Sequence, residues 1–241
     1  MHLDFSALLL AAVVPHLIGF LPALVAAASL KALLPRLSGW AGEARVGAKL
    51  KRLFPQVRHD LILPDGRGGL TQIDHPALTP AGLLVVETET YSGSILGRSN
   101  ESTWTQAIRR QRHGFQNPLR QNYAHVRALE ALAPQAPVIG HVVLAGNARI
   151  PKGMPEGVCH ASDLARALAP FRQGEVSPSL RGAWDRVLEA SRTDGATRKA
   201  HLRGLQACHG HVRSAWVPAV ALGLSVLWLI GFWSHHRPTI P

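Results

Sequence analysis

The amino-acid sequence predicts an α/β domain with one mixed central sheet flanked by helices, placed between two transmembrane helices. Three observations predict this fold class: an uncharged apolar run near each end of the 241-residue chain, alternating helix-like and strand-like segments between them, and a strong positive charge. Apart from Asp4 and Arg237, every charged residue lies between the two apolar runs, so the net charge of +11 belongs to the middle of the chain.

The first apolar run, residues 5–30, is predicted to be a transmembrane helix. It has no charged residue, and its 26 residues reach ~39 Å at ~1.5 Å per residue, enough to cross a bilayer. Pro15, Gly19 and Pro22 are expected to kink it. A cleaved signal peptide ending near Ala26–Ala28 is the alternative. The length of the run and the lack of Lys or Arg before it favour a retained anchor.

The second apolar run, residues 215–233, is predicted to be another transmembrane helix. Trp216, Trp228 and Trp233 suit the membrane interface. Basic residues flank the inner sides of both runs, whereas the outer tails carry only Arg237. The positive-inside rule therefore predicts a multi-pass protein of a bacterial-type inner (plasma) membrane, with its middle domain in the cytoplasm.

The charge and the cysteine content restrict the function of the middle domain. A basic domain is typical of proteins that bind a polyanion, either nucleic acid or anionic lipid head groups. The chain has only two cysteines, Cys159 and Cys208, which exclude a disulfide framework or a Cys-rich zinc module. Such low cysteine use fits a reducing compartment.

The first half of the middle domain is predicted to contain one helix followed by short strands. Residues 37–54 form an amphipathic pattern with Ser38 as a plausible N-cap. Pro64–Gly69 is a clear turn signal between strand-like runs. These runs cover residues 57–63, 72–75, 83–89 and 91–96.

A long helix is predicted to begin at Asn117–Pro118, because Asn caps a helix well and Pro suits its first turn. Gln121 and His125 are four residues apart and share one helix face. The other predicted features are an apolar stripe of Leu119, Tyr123, Val126 and Ala133, strands over 137–145 and 158–160, and helices over 162–168, 178–192 and 196–211. The resulting organisation is a domain over residues 37–170 and a helical linker region over 178–211.

Two neighbouring strands of this pattern each deliver acidic residues. Side chains alternate along a strand, so Gln72 and Asp74 share one face, and so do Glu87 and Glu89. An acid after a run as apolar as Leu83–Val86 is costly to bury. Either acid alone is more typical of a solvated strand end, but together they predict a metal site that binds phosphate.

The sequence resembles the nuclease-related domain (NERD) family over about residues 39–169. The residues that carry the resemblance are Gly39-x-x-Gly42-Glu43, Gln72-Ile73-Asp74-His75, Val86-Glu87-Thr88, Tyr91-Ser92-Gly93-Ser94-Ile95-x-Gly97, Trp104 and Asn117-Pro118-Leu119-x-Gln121-Asn122-x-x-His125. The family is similar to the PD-(D/E)XK nucleases. The resemblance therefore implies a PD-(D/E)XK-like sheet and metal-dependent hydrolysis of phosphodiester bonds in nucleic acid. DNA is the expected substrate, with RNA as the alternative.

The resemblance also implies roles for individual residues. Glu43, Asp74 and Glu87 are expected to bind Mg²⁺ or Mn²⁺, since hard divalent cations prefer oxygen ligands. Glu89 is expected to accept a proton from the attacking water. Gln72, Gln121 and His125 are expected to orient water or phosphate.

Basic residues after the strands are expected to hold the nucleic-acid backbone through its charge. These are Arg98, Arg109 and Arg110. The Arg109–Arg112 run taken alone is more typical of a solvated helix face.

One position departs from the family pattern. The family usually has Lys two residues after the second strand acid, giving E-x-K, whereas this chain has Glu87-Thr88-Glu89. An acid in place of that cation weakens the electrostatic stabilisation of a phosphate. Two alternatives to an active nuclease therefore stay open: a membrane-tethered nucleic-acid-binding module of the same fold, and a membrane protein whose basic domain contacts anionic lipid.

Overall fold

The computed structural model describes residues 5–192, 194–195, 197–199 and 216–235. Most of the predicted helix over 196–211 lies outside these residues. The chain divides into two compact units. One unit contains residues 1–38 and 212–241, and the other contains residues 39–211.

The first unit contains the two apolar runs, and both are helical. Helix α1 covers Phe5–Leu53, and helix α5 covers Trp216–His235. By length and composition, the helical stretches Phe20–Leu53 and Val217–Ser234 can cross a membrane. Most of the large apolar side chains described on them, such as Phe20 and Leu227, are exposed rather than packed inside the protein.

Helix α1 is one continuous element, whereas the sequence predicted two helices separated before residue 37. The helix runs on through Pro15, Pro22 and Pro35. Ser38 does not cap a new helix, because its hydroxyl donates to the carbonyl oxygen of Pro35 at 2.8 Å. A serine that bonds back to the preceding turn is compatible with a helix interior, and this is why the N-cap signal was misleading.

The second unit is built on a mixed sheet of five described strands. These are β1 (Gln56–Val57), β4 (His75–Thr79), β5 (Gly82–Glu89), β9 (Val138–Leu144) and β10 (Val158–His160). Their order is β1-β4-β5-β9-β10, with antiparallel pairing from β1 to β5 and parallel pairing from β5 to β10. The predicted mixed central sheet is therefore confirmed.

Helices cover both faces of this sheet. Leu83 and Val85 of β5 face helix α2 (Pro118–Leu132) and helix α4 (Pro178–Ala190). Leu84 and Val86 face the end of α1 and helix α3 (Leu164–Ala167), which a short 3-10 helix, Ala169–Arg172, follows. A strand buried on both faces reads as a continuous apolar run, as the sequence of β5 does.

Two smaller sheets complete the described part of the unit. Strands β2 (Leu61–Pro64) and β3 (Leu70–Ile73) form a hairpin, and strands β6 (Ser94–Leu96), β7 (Thr103–Ile108) and β8 (Gln111–Gln116) form a three-stranded sheet. The sequence did not predict β7, which is mostly half-buried, or β8, which is mostly exposed. The Arg109–Arg112 run forms the turn between β7 and β8 and the start of β8, rather than a helix face. Arg109 has a φ of 53° in this turn.

Helix α2 begins as predicted at Asn117 and Pro118, but its apolar stripe was only partly correct. Leu119, Val126 and Ala133 pack against the core, although Ala133 follows the last helical residue, whereas Tyr123 is 64% exposed. The buried face also carries Asn122, His125, Ala128 and Leu129. Because Asn122 and His125 on this face are polar, a pattern of apolar residues did not identify the whole face as buried.

Asn117 fixes the start of α2 through both ends of its amide. The side-chain oxygen accepts from the backbone N–H of Leu119 at 2.9 Å, and Nδ2 donates to the carbonyl oxygens of Ser99 at 3.0 Å and Glu101 at 2.7 Å. Asn117 is 0% exposed. It therefore ties α2 to the loop between β6 and β7.

Asn117→Ala is expected to lower the free energy of unfolding by about 2–3 kcal/mol, because it removes a helix cap and the hydrogen bonds from its buried amide to the carbonyls of Ser99 and Glu101. Ser177→Ala is the matched control, since Ser177 caps α4 through a single bond to the N–H of Leu180. That change is expected to cost about 1 kcal/mol. Equal losses in chemical denaturation of the two variants would contradict the role given to the Asn117 amide.

Candidate functional site

Two breaks in the predicted strands bring acidic residues together. Residues 57–63 do not form one strand, because β1 ends at Val57 and β2 begins at Leu61. Likewise β3 ends at Ile73 and β4 begins at His75, so Asp74 lies in the break. The breaks are adjacent, since the backbone N–H of Asp60 donates to the carbonyl oxygen of Asp74 at 3.0 Å.

Asp60 belongs to this site although the sequence did not single it out. Its φ of 52° is uncommon for a residue other than glycine. Its carboxylate accepts from Nε2 of Gln72 at 2.8 Å. The observed partner of Gln72 is therefore Asp60. A signal was present in the sequence, because an acid between two apolar strand runs calls for a break or a polar partner.

Asp74 is held at the carboxyl end of β5. The backbone N–H of Thr88 donates to Oδ2 of Asp74 at 2.9 Å. Thr88 lies between Glu87 and Glu89, so this single bond brings three carboxyl groups to the same end of the sheet. The predicted grouping of Asp74 with Glu87 and Glu89 is what the structure shows.

Glu87 is 4% exposed and points to the α2 side of the sheet. Nε2 of Gln121 donates a short hydrogen bond to Oε1 of Glu87. Nε2 of His125 lies 3.3 Å from Oε2, and Nδ1 of the same ring lies 2.7 Å from the hydroxyl of Thr71. Gln121 and His125 share a helix face as predicted, and the group that they contact there is Glu87.

Glu89 occupies the last position of β5, where the strand emerges from the core. The Tyr91 side chain hydrogen-bonds the Glu89 carboxyl group, and the Tyr91 ring packs on Phe115 with ring centroids 4.3 Å apart. The backbone carbonyl of Glu89 accepts from the N–H of Ala145 at 2.8 Å. Both the main chain and the side chain of Glu89 are therefore held in place.

Glu43 reaches the same group from the other face of the sheet, on α1. It lies within electrostatic range of Asp74 and Asp60. The preceding residue explains the close approach, since a Cβ at Gly42 would lie 2.4 Å from Oγ1 of Thr90 and 3.0 Å from Cβ of Ala145. Any larger residue at position 42 would push α1 away from the end of the sheet.

These carboxyl groups are buried together, and burial is the main cause of their raised pKa values. Burial and then the charge of Glu43 raise the pKa of Glu87 to about 8. Burial and then the charge of Glu87 raise the pKa of Asp74 to about 7 and that of Glu89 to about 7. Among the ion pairs found in the described part of the chain, none joins these acids to Lys or Arg.

The donor set fits a hard divalent cation. No group of three or more His, Cys, Asp or Glu with the arrangement of a metal site is found among the described residues. Mg²⁺ does not require one, because it is usually held by one or two carboxylates together with water and substrate phosphates. Oε2 of Glu87 is buried and makes no hydrogen bond within the described residues, and Nε2 of His125 lies 3.3 Å from it, so Oε2 is a candidate ligand for a cation beside that histidine.

The arginines expected to hold nucleic acid lie on the three-stranded sheet. Arg109 and Arg110 form the exposed turn between β7 and β8, and Arg98 is exposed in the loop after β6. That sheet packs on β9 through Ile95 and Trp104. The turn that carries Arg109 and Arg110 therefore belongs to a sheet that is packed against the core.

Comparison with known proteins identifies the part of the chain that carries this site. Residues 38–145 match the family model of the nuclease-related domain (NERD), and this range contains all of the acids described above. The chain is also similar to an uncharacterized protein of Bacillus anthracis. The two are 29% identical over 155 residues, which cover 62% of this chain and 73% of the relative. No solved structure matches the chain at a significant level.

The buried acids predict that the metal-free protein loses stability as the pH rises. The pKa values of Asp74, Glu87 and Glu89 are raised, so the folded state retains protons that the unfolded state releases. Their contribution is complete below their unfolded pKa of about 4 and is lost as the pH rises through 7 to 8. The histidines whose pKa is lowered have the opposite effect on the pH dependence of stability. They destabilise the folded protein only below about pH 6.5, where the unfolded state takes up their protons. These histidines are His59, His75, His125 and His141.

Between about pH 6.5 and 8.5, the unfolding temperature of the full chain in detergent with EDTA is therefore expected to fall. The loss corresponds to about 1–3 kcal/mol. Glu89→Gln removes one of the acids and should make this fall shallower, whereas Glu156→Gln, at an exposed position, should leave it unchanged. A fall of the same size in all three proteins would show that the acid cluster does not control it.

Proposed function

We propose that this chain, whose residues 38–145 match the family model of the nuclease-related domain, is a membrane-anchored, divalent-metal-dependent nuclease that hydrolyses phosphodiester bonds in DNA, with RNA as the alternative substrate. The observation that carries the proposal is a group of carboxyls at one end of the sheet, in which Glu87 is buried and Asp74, Glu89 and Glu43 are half-buried. No Lys or Arg pairs with them among the described ion pairs. Such a group is costly to bury unless a cation is bound.

Asp74 and Glu87 are the proposed ligands of Mg²⁺ or Mn²⁺, with Glu43 as a further ligand or a group beside it. The bound metal polarises a phosphate oxygen and lowers the pKa of a water molecule. Gln121 and His125 contact both oxygens of Glu87 and so fix its orientation. The N–H of Thr88 fixes Asp74 in the same way. Preorganised ligands of this kind reduce the reorganisation needed during the reaction.

Glu89 is the proposed general base. The oxygen of the attacking water forms a bond to phosphorus, the P–O bond to the leaving nucleotide breaks, and the Glu89 carboxylate takes the proton of the water. The leaving oxygen then takes a proton from solvent. Tyr91 hydrogen-bonds Glu89 and holds it beside the other acids. Because Glu89 is held beside the proposed metal ligands, we assign it to proton transfer rather than to metal binding alone.

The apolar helices and the basic surface support the remaining parts of the proposal. Two helical stretches suit a membrane by length and composition. The excess of Lys and Arg between them favours a cytoplasmic domain. Arg98, Arg109 and Arg110 supply exposed positive charge for a sugar–phosphate backbone without reading its sequence.

Glu89 also favours a second candidate function. In related nucleases this position usually carries Lys, whose charge stabilises the reacting phosphate. An acid there adds negative charge beside a polyanion. A membrane-tethered module that binds nucleic acid without cutting it is therefore the alternative that this residue supports.

Incubation of the full chain in neutral-lipid nanodiscs with labelled DNA and RNA is the direct test of catalysis. Cleavage of DNA is expected with Mg²⁺ or Mn²⁺ and not with EDTA. An Asp74→Asn, Glu87→Gln double variant removes the proposed ligands with little change in shape and is expected to reduce the rate about 100-fold or more.

The matched control is a Glu156→Gln, Glu175→Gln double variant, because it makes the same change of charge at two exposed positions. Its rate should equal that of the unchanged protein. Cutting that persists in EDTA, or that the ligand variant retains, would refute the metal site. A folded protein that binds DNA but cuts neither substrate would establish the binding module instead.

Substitution of Glu89 separates the two candidate functions. If Glu89 is the base, Glu89→Gln and Glu89→Lys should both reduce cleavage by about 10²- to 10⁴-fold, although Glu89→Lys should bind DNA more tightly because it places a positive charge beside the phosphate. If the natural site is impaired by its extra acid, Glu89→Lys should increase cleavage while Glu89→Gln gives a smaller gain. The initial rates of the two variants, measured on one substrate at saturating metal, decide between these outcomes.

A further inference from the structure

A cavity of about 400 Å³ lies in the second unit, directly beside the acid cluster. One wall is a face of α1 between Trp40 and Lys51, and the opposite wall is formed by His59, Asp60 and His75. A volume of this size falls in the range of small-molecule sites. The proposed chemistry of Asp74 and Glu87 does not explain why the protein maintains this space.

The helix side of the cavity is flat and made of small residues. Ala44, Gly47 and Ala48 are spaced three and four residues apart and therefore share one face of α1. A Cβ at Gly47 would lie 2.9 Å from Cε1 of His59 and 3.3 Å from Cε1 of His75. The glycine lets both imidazole rings lie close to the helix. The open part of the cavity therefore lies over the exposed residues Ala44 and Ala48, beside the two rings, where a planar ligand can rest against the helix.

The opposite wall carries hydrogen-bonding groups in several directions. Nδ1 of His59 lies 2.8 Å from Nδ1 of His75, and the two rings meet edge to face. Beside them is the carboxylate of Asp60, which Gln72 orients. Imidazole nitrogens and a carboxylate offer donors and acceptors together. The edge of a nucleobase carries the complementary mixture.

The two ends of the helix wall carry side chains that suit a stacked base and a phosphate group of a nucleotide strand. Trp40 is 72% exposed at one end and offers an aromatic face on which a base can stack. Lys51 is exposed at the other end, about 16 Å along the helix axis, and its ammonium group can pair with a phosphate.

Glu43 connects this cavity to the proposed reaction centre. It lines the cavity, and it is within electrostatic range of Asp74. A ligand in the cavity is therefore adjacent to any phosphate held by the acid cluster. The cavity is placed to hold the nucleotide next to the bond that is cut.

We infer that this cavity binds one unpaired nucleotide of the substrate, with its base over Ala44–Ala48 and against Trp40. This inference rests on the proposed nuclease function and adds its substrate class: single strands, strand ends or unpaired nucleotides in a duplex. A base inside an intact duplex is stacked and paired, and it must leave the helix before it can enter such a site.

The test is binding of DNA to the full chain in neutral-lipid nanodiscs, in EDTA so that no cutting occurs. The probes are a single-stranded oligonucleotide with 2-aminopurine at successive positions and the same sequence as a blunt, closed duplex. Stacking on Trp40 is expected to quench 2-aminopurine in the single strand. Trp40→Ala should abolish the quenching and raise the Kd for the single strand about 5- to 100-fold. Trp40→Phe should largely restore both.

Tyr123→Ala is the matched control, because Tyr123 is also an exposed aromatic residue on a helix but does not line the cavity. It should leave the quenching unchanged, and Trp40→Ala should leave duplex binding unchanged. The inference is overturned if Trp40→Ala weakens single-strand and duplex binding equally, or weakens neither. If the unaltered folded protein binds no DNA at all, the proposed function itself fails, and that result is distinct from DNA binding without quenching.

Discussion

The constraint on which the rest of this structure depends is the burial of several carboxyl groups at one end of the central sheet. Glu87 is almost fully enclosed. Glu89 lies near it on the same strand, β5, and Asp74 is held there by the hydrogen bond that it accepts from the N–H of Thr88. Among the described ion pairs, no lysine or arginine compensates them. A protein that only needed a stable fold would replace such residues with apolar ones at little cost. Their presence is the main support for the proposal that a cation is part of the working state.

The surrounding fold is arranged so that this costly group keeps its geometry. Asn117 ties the start of α2 to a neighbouring loop, and α2 then presents Gln121 and His125 to Glu87. On the other face, Gly42 lets α1 approach closely enough for Glu43 to join. The sheet, α1 and α2 therefore each contribute to one small volume. Displacement of either helix would change the electrostatics of the site and the packing of the hydrophobic core together, because both helices contribute buried residues to that core.

The sequence predicted the parts of this arrangement that follow simple periodic rules. The apolar run of β5, the cap and first turn of α2, and the shared face of Gln121 and His125 were all correctly predicted. Ser38 was misleading because a serine hydroxyl can satisfy a carbonyl inside a helix as well as cap one. The β7–β8 hairpin and Asp60 were missed because mostly polar strands have no hydrophobic alternation, and because a positive φ at Asp60 is set by tertiary contacts.

Glu89 shows how the acid cluster and the neighbouring cavity depend on each other. Where related nucleases usually place a lysine, this chain places a fourth acid, so the balance of charge around a bound phosphate must be restored from elsewhere. In the proposed function, a divalent cation supplies part of that charge. In the proposed nucleotide site, Lys51, on the wall of the cavity that Glu43 also lines, supplies a positive charge only to a strand that occupies the cavity. If both proposals hold, the lack of a fixed cation at position 89 makes phosphate binding more dependent on how the adjoining nucleotide is held. The two proposals together would then favour substrates with an unpaired nucleotide over an intact duplex.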